Sequence, residues 1–167
     1  MPRTVIGSGT KFLPDGVETV LILTDVANGA GTLDPTLAEL TAAGTLEVQA
    51  ALADRQNFKT GRNLVSDYEW GANGFPFTIA GGRTWAGTPT LWFWADQGGD
   101  DIMTDLTEDQ PISVVIAPEG VAATDVVRIY AGSVAYITPD DSKGAIARIE
   151  VGLSIDEFDL AYTVPGA

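Results

Sequence analysis

The sequence contains neither histidine nor cysteine. A chain without them cannot build a Ser/His/Asp or Cys/His nucleophilic centre, a zinc site of histidines and cysteines, or a disulfide. Basic residues are also scarce, since nine Lys and Arg stand against 23 Asp and Glu and leave a net charge of −14. A chain with this charge repels phosphate and is poorly suited to holding nucleic acid by counterion release.

Long apolar segments are absent as well. The longest run, Leu91 to Ala95, is far shorter than the roughly 20 residues that span a bilayer. The opening stretch MPRTVIGSGTKFLPDG lacks the apolar region of a signal peptide. We therefore expect a soluble protein that is made without a cleaved signal and has no membrane contact.

Turn-forming residues, by contrast, are abundant: 19 Gly and 9 Pro are spread through 167 residues, of which 45% are hydrophobic. A chain of this length can bury a real core as one domain. Frequent Gly and Pro favour short elements joined by turns. The composition predicts a single mainly β domain over residues 1–167, with a loose N-terminal arm at 1–16.

Two segments have helical patterns. In DPTLAELTAAG, residues 34–44, Asp34 can cap a helix, Pro35 can occupy its first position and Gly44 can end it. In GDDIMTDLTEDQ, residues 99–110, the apolar side chains of Ile102, Met103 and Leu106 can share an inner side. The acidic side chains of that segment would then face water.

Alternation of apolar and polar residues, or short apolar runs, predicts the strands. These segments are 17–24, 45–52, 75–80, 90–95, 111–117, 126–137 and 144–155, with 68–71 continuing the sheet and 81–83 forming a turn. Near the end of the chain the alternation slips by one residue between Ile155 and Phe158, which predicts a β-bulge at Asp156 and Glu157. Residues 156–167 are predicted to form a small C-terminal extension.

Residues 54–66, DRQNFKTGRNLVS, are predicted to be a long polar hairpin loop. This segment holds a basic cluster of Arg55, Lys59 and Arg62. The charge is divided unevenly along the chain: residues 1–83 hold nine acids and six bases, and residues 84–167 hold 14 acids and three bases. The loop therefore places positive charge on a chain whose other half is strongly negative.

The segment TLWFW, residues 90–94, would place Leu91 and Phe93 on one face of a strand and Trp92 and Trp94 on the other. Two interpretations of the tryptophan pair remain open. The rings could form a stacking platform for a sugar, beside the carboxylates that follow, or they could be covered by the fold or by another subunit.

Other motifs do not have the spacing that their chemistry needs. GSGTK, residues 7–11, departs from the Walker pattern, and DQGGDD at 96–101 and PDDSKG at 139–144 depart from the EF-hand pattern. No carboxylate has the apolar setting that would clearly mark a glycosidase acid. We therefore expect no enzymatic activity, no cofactor and no metal.

The order of elements resembles that of the major tail tube proteins of long-tailed, siphovirus-like double-stranded DNA phages. The similarity is carried by the loose N-terminal arm, DPTLAELTAAGT from residue 34, the polar loop at 54–66, and TPTLWFWAD from residue 88. It continues through the acidic helix GDDIMTDL, the strand PISVVI, and two long final strands joined through PDDSKG.

This resemblance implies an antiparallel β-sandwich or barrel-like subunit with one or two short helices and a long hairpin loop. It also implies a virion protein, made in the host cytoplasm, that self-assembles into hexameric rings stacked into a tail tube. The implied partners are further copies of the chain, the tape measure protein and the tail terminator. DNA would pass through a negatively charged conduit without specific binding.

Three sets of candidate site residues follow: inter-ring contacts at Arg55, Lys59 and Arg62; lumen-facing residues at Glu47, Gln49 and Glu150; and subunit contacts at Trp92 and Trp94. Two alternatives to a tail tube subunit remain open. One is another virion structural protein, for head–tail joining or decoration, and the other is a carbohydrate-binding β-sandwich module.

Overall fold

Strands make up most of the part of the chain that the structure describes. This computed structural model describes residues 4–5, 18–56, 58, 60–67, 77–85, 87–95, 99–118, 120–140 and 147–166. The strands are β1 (Thr4–Val5), β2 (Thr19–Leu23), β3 (Leu46–Glu47), β4 (Leu52–Gln56), β5 (Thr60–Asp67), β6 (Phe77–Trp85), β7 (Thr90–Trp94), β8 (Pro111–Ala117), β9 (Val126–Asp140) and β10 (Arg148–Thr163). The helices are α1 (Leu37–Leu40) and α2 (Gly99–Asp105), and a 3-10 turn spans Val26–Asn28.

Eight strands form one sheet in the order β1-β3-β2-β8-β9-β10-β7-β4. Every neighbouring pair is antiparallel except β1 and β3, which are parallel. Strands β5 and β6 form a separate antiparallel pair. The predicted fold class, a mainly β antiparallel architecture with short helices, is confirmed, and the large sheet curls into a half-barrel.

The curl encloses the larger of two apolar cores. Leu46 of β3 and Leu52 of β4 lie near opposite ends of the strand order, yet both belong to this core together with Phe93. A second core, which includes Leu21, Leu23 and Ile129, lies on the other side of the sheet and is covered by Leu40 of α1. The central strands are therefore buried on both faces, which explains why PISVVIA is almost continuously apolar.

Helix α1 is shorter than predicted and begins two residues later. Thr36 is its N-cap: Thr36 Oγ1 accepts the Glu39 N–H, and Glu39 Oε2 accepts the Thr36 N–H at 2.6 Å. This reciprocal pair satisfies two backbone donors at the helix start, so it outcompetes the single cap available at Asp34. The predictions of Asp34 as the cap, Pro35 as the first helical residue and Gly44 as the end are wrong.

The segment of α2 and the residue after it follow the prediction at two of the three apolar positions. Ile102 and Leu106 are 0% and 1% exposed in the larger core. Met103 is 46% exposed, so its predicted inward position is wrong. Positions four apart stack on one helix face, and the inward side is already filled by Ile102 of this seven-residue helix and by Leu106, which follows its last residue and donates its N–H to Ile102 O.

The predicted loop at 54–66 contains strand structure instead. Residues 54–56 belong to β4, which pairs with β7, and residues 60–66 belong to β5. The polar composition concealed one apolar anchor, Phe58, whose ring meets that of Tyr130 edge-to-face at 5.1 Å; Leu52, at the start of β4, lies in the larger core. The predicted turn at 81–83 is likewise wrong, because these residues lie inside β6, where Arg83 pairs with Arg62 of β5 and residues 81 and 82 fall at a register shift.

The long hairpin of β9 and β10 confirms the predicted bulge. The register between these strands shifts between Ile155 and Glu157. Residues 156–163 continue β10, so the prediction that a C-terminal extension starts at 156 is wrong. Of the predicted arm at 1–16, the structure describes Thr4 and Val5, which pair with β3, and the other residues of that segment and the predicted strand at 68–71 lie outside the described residues.

Candidate subunit interface

Strand register brings both strand tryptophans together with charged and phenolic side chains. Across β7 and β10, Trp92 lies opposite Glu150 and Trp94 opposite Arg148. Tyr136 of β9 lies opposite Gly152 of β10. Side chains alternate across a strand, and the intervening Leu91, Phe93, Ile149 and Val151 point into the larger core. We call the resulting outward surface, formed by Trp92, Trp94, Tyr136, Arg148 and Glu150, the Trp face.

Trp94 is held against a cation. The Arg148 guanidinium carbon lies 4.5 Å from the centroid of the Trp94 ring. Both side chains are half-buried. A cation at this distance is attracted by the ring quadrupole. One face of the Trp94 ring is therefore occupied by Arg148. This contact makes the sugar-stacking interpretation of the tryptophan pair less favourable.

Tyr136 and Glu150 form the second fixed contact of the Trp face. The Tyr136 hydroxyl donates to Glu150 Oε1 at 2.8 Å. The ring passes over Gly152, and a Cβ at that position would overlap it. The hydrogen bond to the Glu150 carboxylate raises the pKa of Tyr136 above 10.0, and burial raises it further. Glu150 is thus engaged by its own chain.

Two N–H groups of the Trp face have no acceptor among the described residues. They are Trp92 Nε1 and Arg148 Nε, which are both shielded from solvent although their side chains remain partly exposed. A buried donor without a partner costs about 1–3 kcal/mol, and most buried polar groups in native proteins are paired. Among the described residues, the buried side-chain donors without an acceptor are therefore both on the Trp face.

The three predicted lumen residues do not lie together. Gln49 lies just beyond β3, where its Nε2 donates to Glu47 Oε1 and its Oε1 accepts the Val20 N–H at 3.4 Å. Glu150 lies instead on the Trp face, and strands β2, β8 and β9 separate β3 from β10 in the sheet. Sequence reasoning also missed Arg148 as a partner of Trp94, although alternation in RIEVG places it on the Glu150 side of the strand.

The predicted basic cluster is not a set of three equivalent charges. Arg55 forms an ion pair with Glu18 of its own chain, with Nη2 to Oε2 at 2.6 Å. Arg62 lies in β5 opposite Arg83, where the structure describes the backbone, and Lys59 lies outside the described residues. Glu18 is 37 residues from Arg55, so the sequence held no local signal for this pair.

Among the described residues, no three Asp or Glu side chains lie close enough to share a metal ion. Within that part of the chain, no helix has both the length and the apolar character needed to cross a membrane.

The fold and the Trp face define a mainly β protein that carries two indoles and two N–H groups without an acceptor on one face of its sheet. The family described as "Phage tail tube protein" matches residues 8–167, nearly the whole chain. The protein belongs to the phage tail tube protein family and is a structural component of the virion. A comparison with curated proteins gave no match.

Proposed function

We propose that this protein self-assembles into hexameric rings that stack into the tail tube, a negatively charged conduit through which DNA leaves the capsid. The Trp face is the observation that supports assembly most directly. The side of the sheet that carries the Trp face is covered by α1 where it passes over β2 and β8. At β7 and β10 that side instead carries the two half-buried indoles of Trp92 and Trp94. Paired aromatic rings beside an arginine are typical of subunit contacts.

The Trp face is therefore proposed as a contact between subunits, through Trp92 and Trp94. A neighbouring subunit that supplies oxygen acceptors would, after small rotations of these side chains, satisfy the Trp92 and Arg148 donors. Hydrogen bonds that form only on assembly favour the assembled state over the free chain. This mechanism needs no change in the core that lies beneath the face.

Charge supports passage of DNA without specific binding. The chain carries a net charge of −14, and Asp101, Asp105, Glu108 and Asp109 form an exposed acidic run along α2 and beyond it. A wall of this sign lets the phosphate backbone slide because it cannot release counterions from DNA. Glu47 and Gln49 remain proposed lumen residues. The tape measure protein and the tail terminator remain proposed partners. The chain is proposed to be made in the host cytoplasm.

The proposed inter-ring role of the basic residues is narrower than the sequence indicated. Arg55 already neutralises Glu18 within its own chain. Charge for contacts between rings is therefore proposed to come from Lys59 and Arg62.

Sedimentation and negative-stain microscopy of the purified protein test this proposal. We expect rings or tubes from the wild-type chain, and smaller species from Trp94→Ala at the same concentration with unchanged circular dichroism. Ala161→Ser, an exposed change away from the Trp face, is the control. A wild-type chain that stays monomeric at every concentration, with and without tail extract, would exclude self-assembly as its function.

A further inference from the structure

An open cleft lies at the end of the sheet where β8 finishes and β9 begins. It is lined by Pro118, Thr124, Asp125, Val126, Arg128 and Leu160. Val126 is 55% exposed, and Pro118 and Arg128 are exposed beside it. The cleft thus combines an apolar rim with a guanidinium group, on a half of the chain that holds three bases against 14 acids.

The backbone around this cleft is held in an uncommon conformation. Thr124 has φ 74°, a left-handed value that is rare for a β-branched residue. The conformation is fixed on both sides, because the Thr124 N–H donates to Val164 O at 2.9 Å and the Asp125 carboxylate accepts the Ala122 N–H at 2.7 Å. Strain of this kind persists only where the surrounding structure enforces it, and it is common at binding sites.

An exposed apolar side chain beside a carboxylate, which is complementary in charge to the cleft, lies at the opposite end of the same strands. The 3-10 turn after β2 presents Val26, which is 64% exposed, next to the exposed carboxylate of Asp25. The turn is rigid, because Asp25 Oδ1 accepts the Ala27 N–H and the Gly29 N–H donates to Val26 O. We call Asp25 and Val26 the knob.

The knob and the cleft cannot meet within one chain. β2 and β8 are antiparallel, with Leu23 opposite Ser113 and Thr19 opposite Ala117. The knob follows the Leu23 end, and the cleft lies beyond the Ala117 end. The seven residues of β8 separate the two ends by about 20 Å at the usual strand rise.

We propose that the knob of one copy of this chain docks in the cleft of the next copy, with Val26 against Pro118, Val126 and Leu160 and Asp25 facing Arg128. The contact joins different surfaces of identical subunits and is therefore heterologous. Such a contact repeats until a ring closes or continues as a stack. The inference rests on the proposed self-assembly and specifies one of the contacts that would produce it.

A mixing experiment tests the direction of this contact. Val26→Arg disables the knob and leaves the cleft intact, and Val126→Arg disables the cleft and leaves the knob intact. Each variant alone should stop at a species smaller than the wild-type assembly, whether that is a ring or a single chain of 17.5 kDa. An equimolar mixture should then form a species of twice that mass and no larger, because each variant retains one working surface.

Met103→Arg is the matched control, since it places the same charge on another large exposed apolar residue outside both surfaces. It should assemble like the wild type, and Arg128→Glu should weaken assembly most at low salt. Circular dichroism verifies that each variant is folded. If the wild type assembles and either arginine variant assembles equally well, or if the mixture shows no doubled species, the knob–cleft contact is wrong while self-assembly stands. A wild type that never assembles would overturn both.

Discussion

Arg55 of β4 and Glu18, which precedes β2, form a two-point ion pair across the curl of the sheet. Nη2 lies 2.6 Å from Oε2, and Nη1 lies 3.3 Å from Oε1. The two side chains are only 24% and 20% exposed. β4 stands last in the strand order and β2 third from the other end, so the pair joins regions that the sheet's own hydrogen bonds do not connect.

We expect Arg55→Met to lower the free energy of unfolding by about 1.5–3 kcal/mol, because a largely buried carboxylate loses its charged partner. Urea unfolding measures the loss. Glu108→Gln, which removes a charge at an exposed residue outside this pair, should change stability by no more than about 0.5 kcal/mol. Adding Glu18→Gln to Arg55→Met should cost little more than Arg55→Met alone, and fully additive losses would show that the pair does not stabilise the curl.

The capping box of α1 gives a prediction that distinguishes two neighbouring residues. Thr36→Ala should cost about 1 kcal/mol, because the Glu39 N–H loses its acceptor. Asp34→Ala should be nearly neutral, since Asp34 is exposed and outside the helix. Thermal unfolding of both variants makes the comparison, and a larger loss at Asp34 than at Thr36 would restore Asp34 as the cap.

Gly152 is expected to be intolerant of a side chain because of Tyr136. Gly152→Ala should destabilise the protein by about 1–3 kcal/mol through overpacking against that ring. The loss should shrink to a fraction of this value in a Tyr136→Ala background, where the ring is gone. Gly166→Ala, which meets no atom within 4 Å, is the matched control. An unchanged cost in both backgrounds would point to the backbone at Gly152 rather than to the ring.

Alkaline pH should weaken the fold through Tyr136. Its pKa is raised above the ordinary value of 10.0, chiefly by the hydrogen bond to Glu150, so the unfolded chain loses the phenolic proton first. The contribution is complete below pH 10 and is lost as the pH rises from there through the raised pKa. Tyr130 and Tyr162, whose pKa values are also raised, mainly by burial, act in the same direction.

Unfolding free energies measured from pH 8 upwards should therefore decline less steeply in Tyr136→Phe than in the wild type. The difference between the two proteins should be greatest below pH 10 and should narrow above it. A constant difference across this range would mean that the phenol is not coupled to the Glu150 carboxylate.

Several elements were predictable because their signal is local. Short apolar runs or alternation identified β2, β7 and β8, and a slip in alternation located the bulge of β10 at its observed position. The family resemblance, carried by element order, was confirmed by the match over residues 8–167. Local patterns survive in a structure when the tertiary contacts reinforce them.

The wrong predictions lie where contacts between residues far apart in the sequence determine the structure. Residues 54–56 and 60–66 have a polar composition, but β4 is placed by Leu52 in the core, by pairing with β7 and by the Glu18 ion pair. The Trp face also needed register information: alternation predicted that Trp92 and Trp94 share a face, but it gave no indication that Arg148 would cover one ring. The knob and the cleft are assembled from segments up to 134 residues apart in the sequence, from Val26 to Leu160, and no pattern in the sequence marked them.

The strands at the two ends of the sheet order limit the pairing of edge strands between copies of this chain. β1 is two residues long, and β4 carries Asp54 and Arg55 in a five-residue strand. Short or charged edges are poor templates for strand addition. Copies of this chain are thereby discouraged from joining edge to edge into an indefinite sheet, so the proposed assembly depends on side-chain surfaces that recognise one geometry.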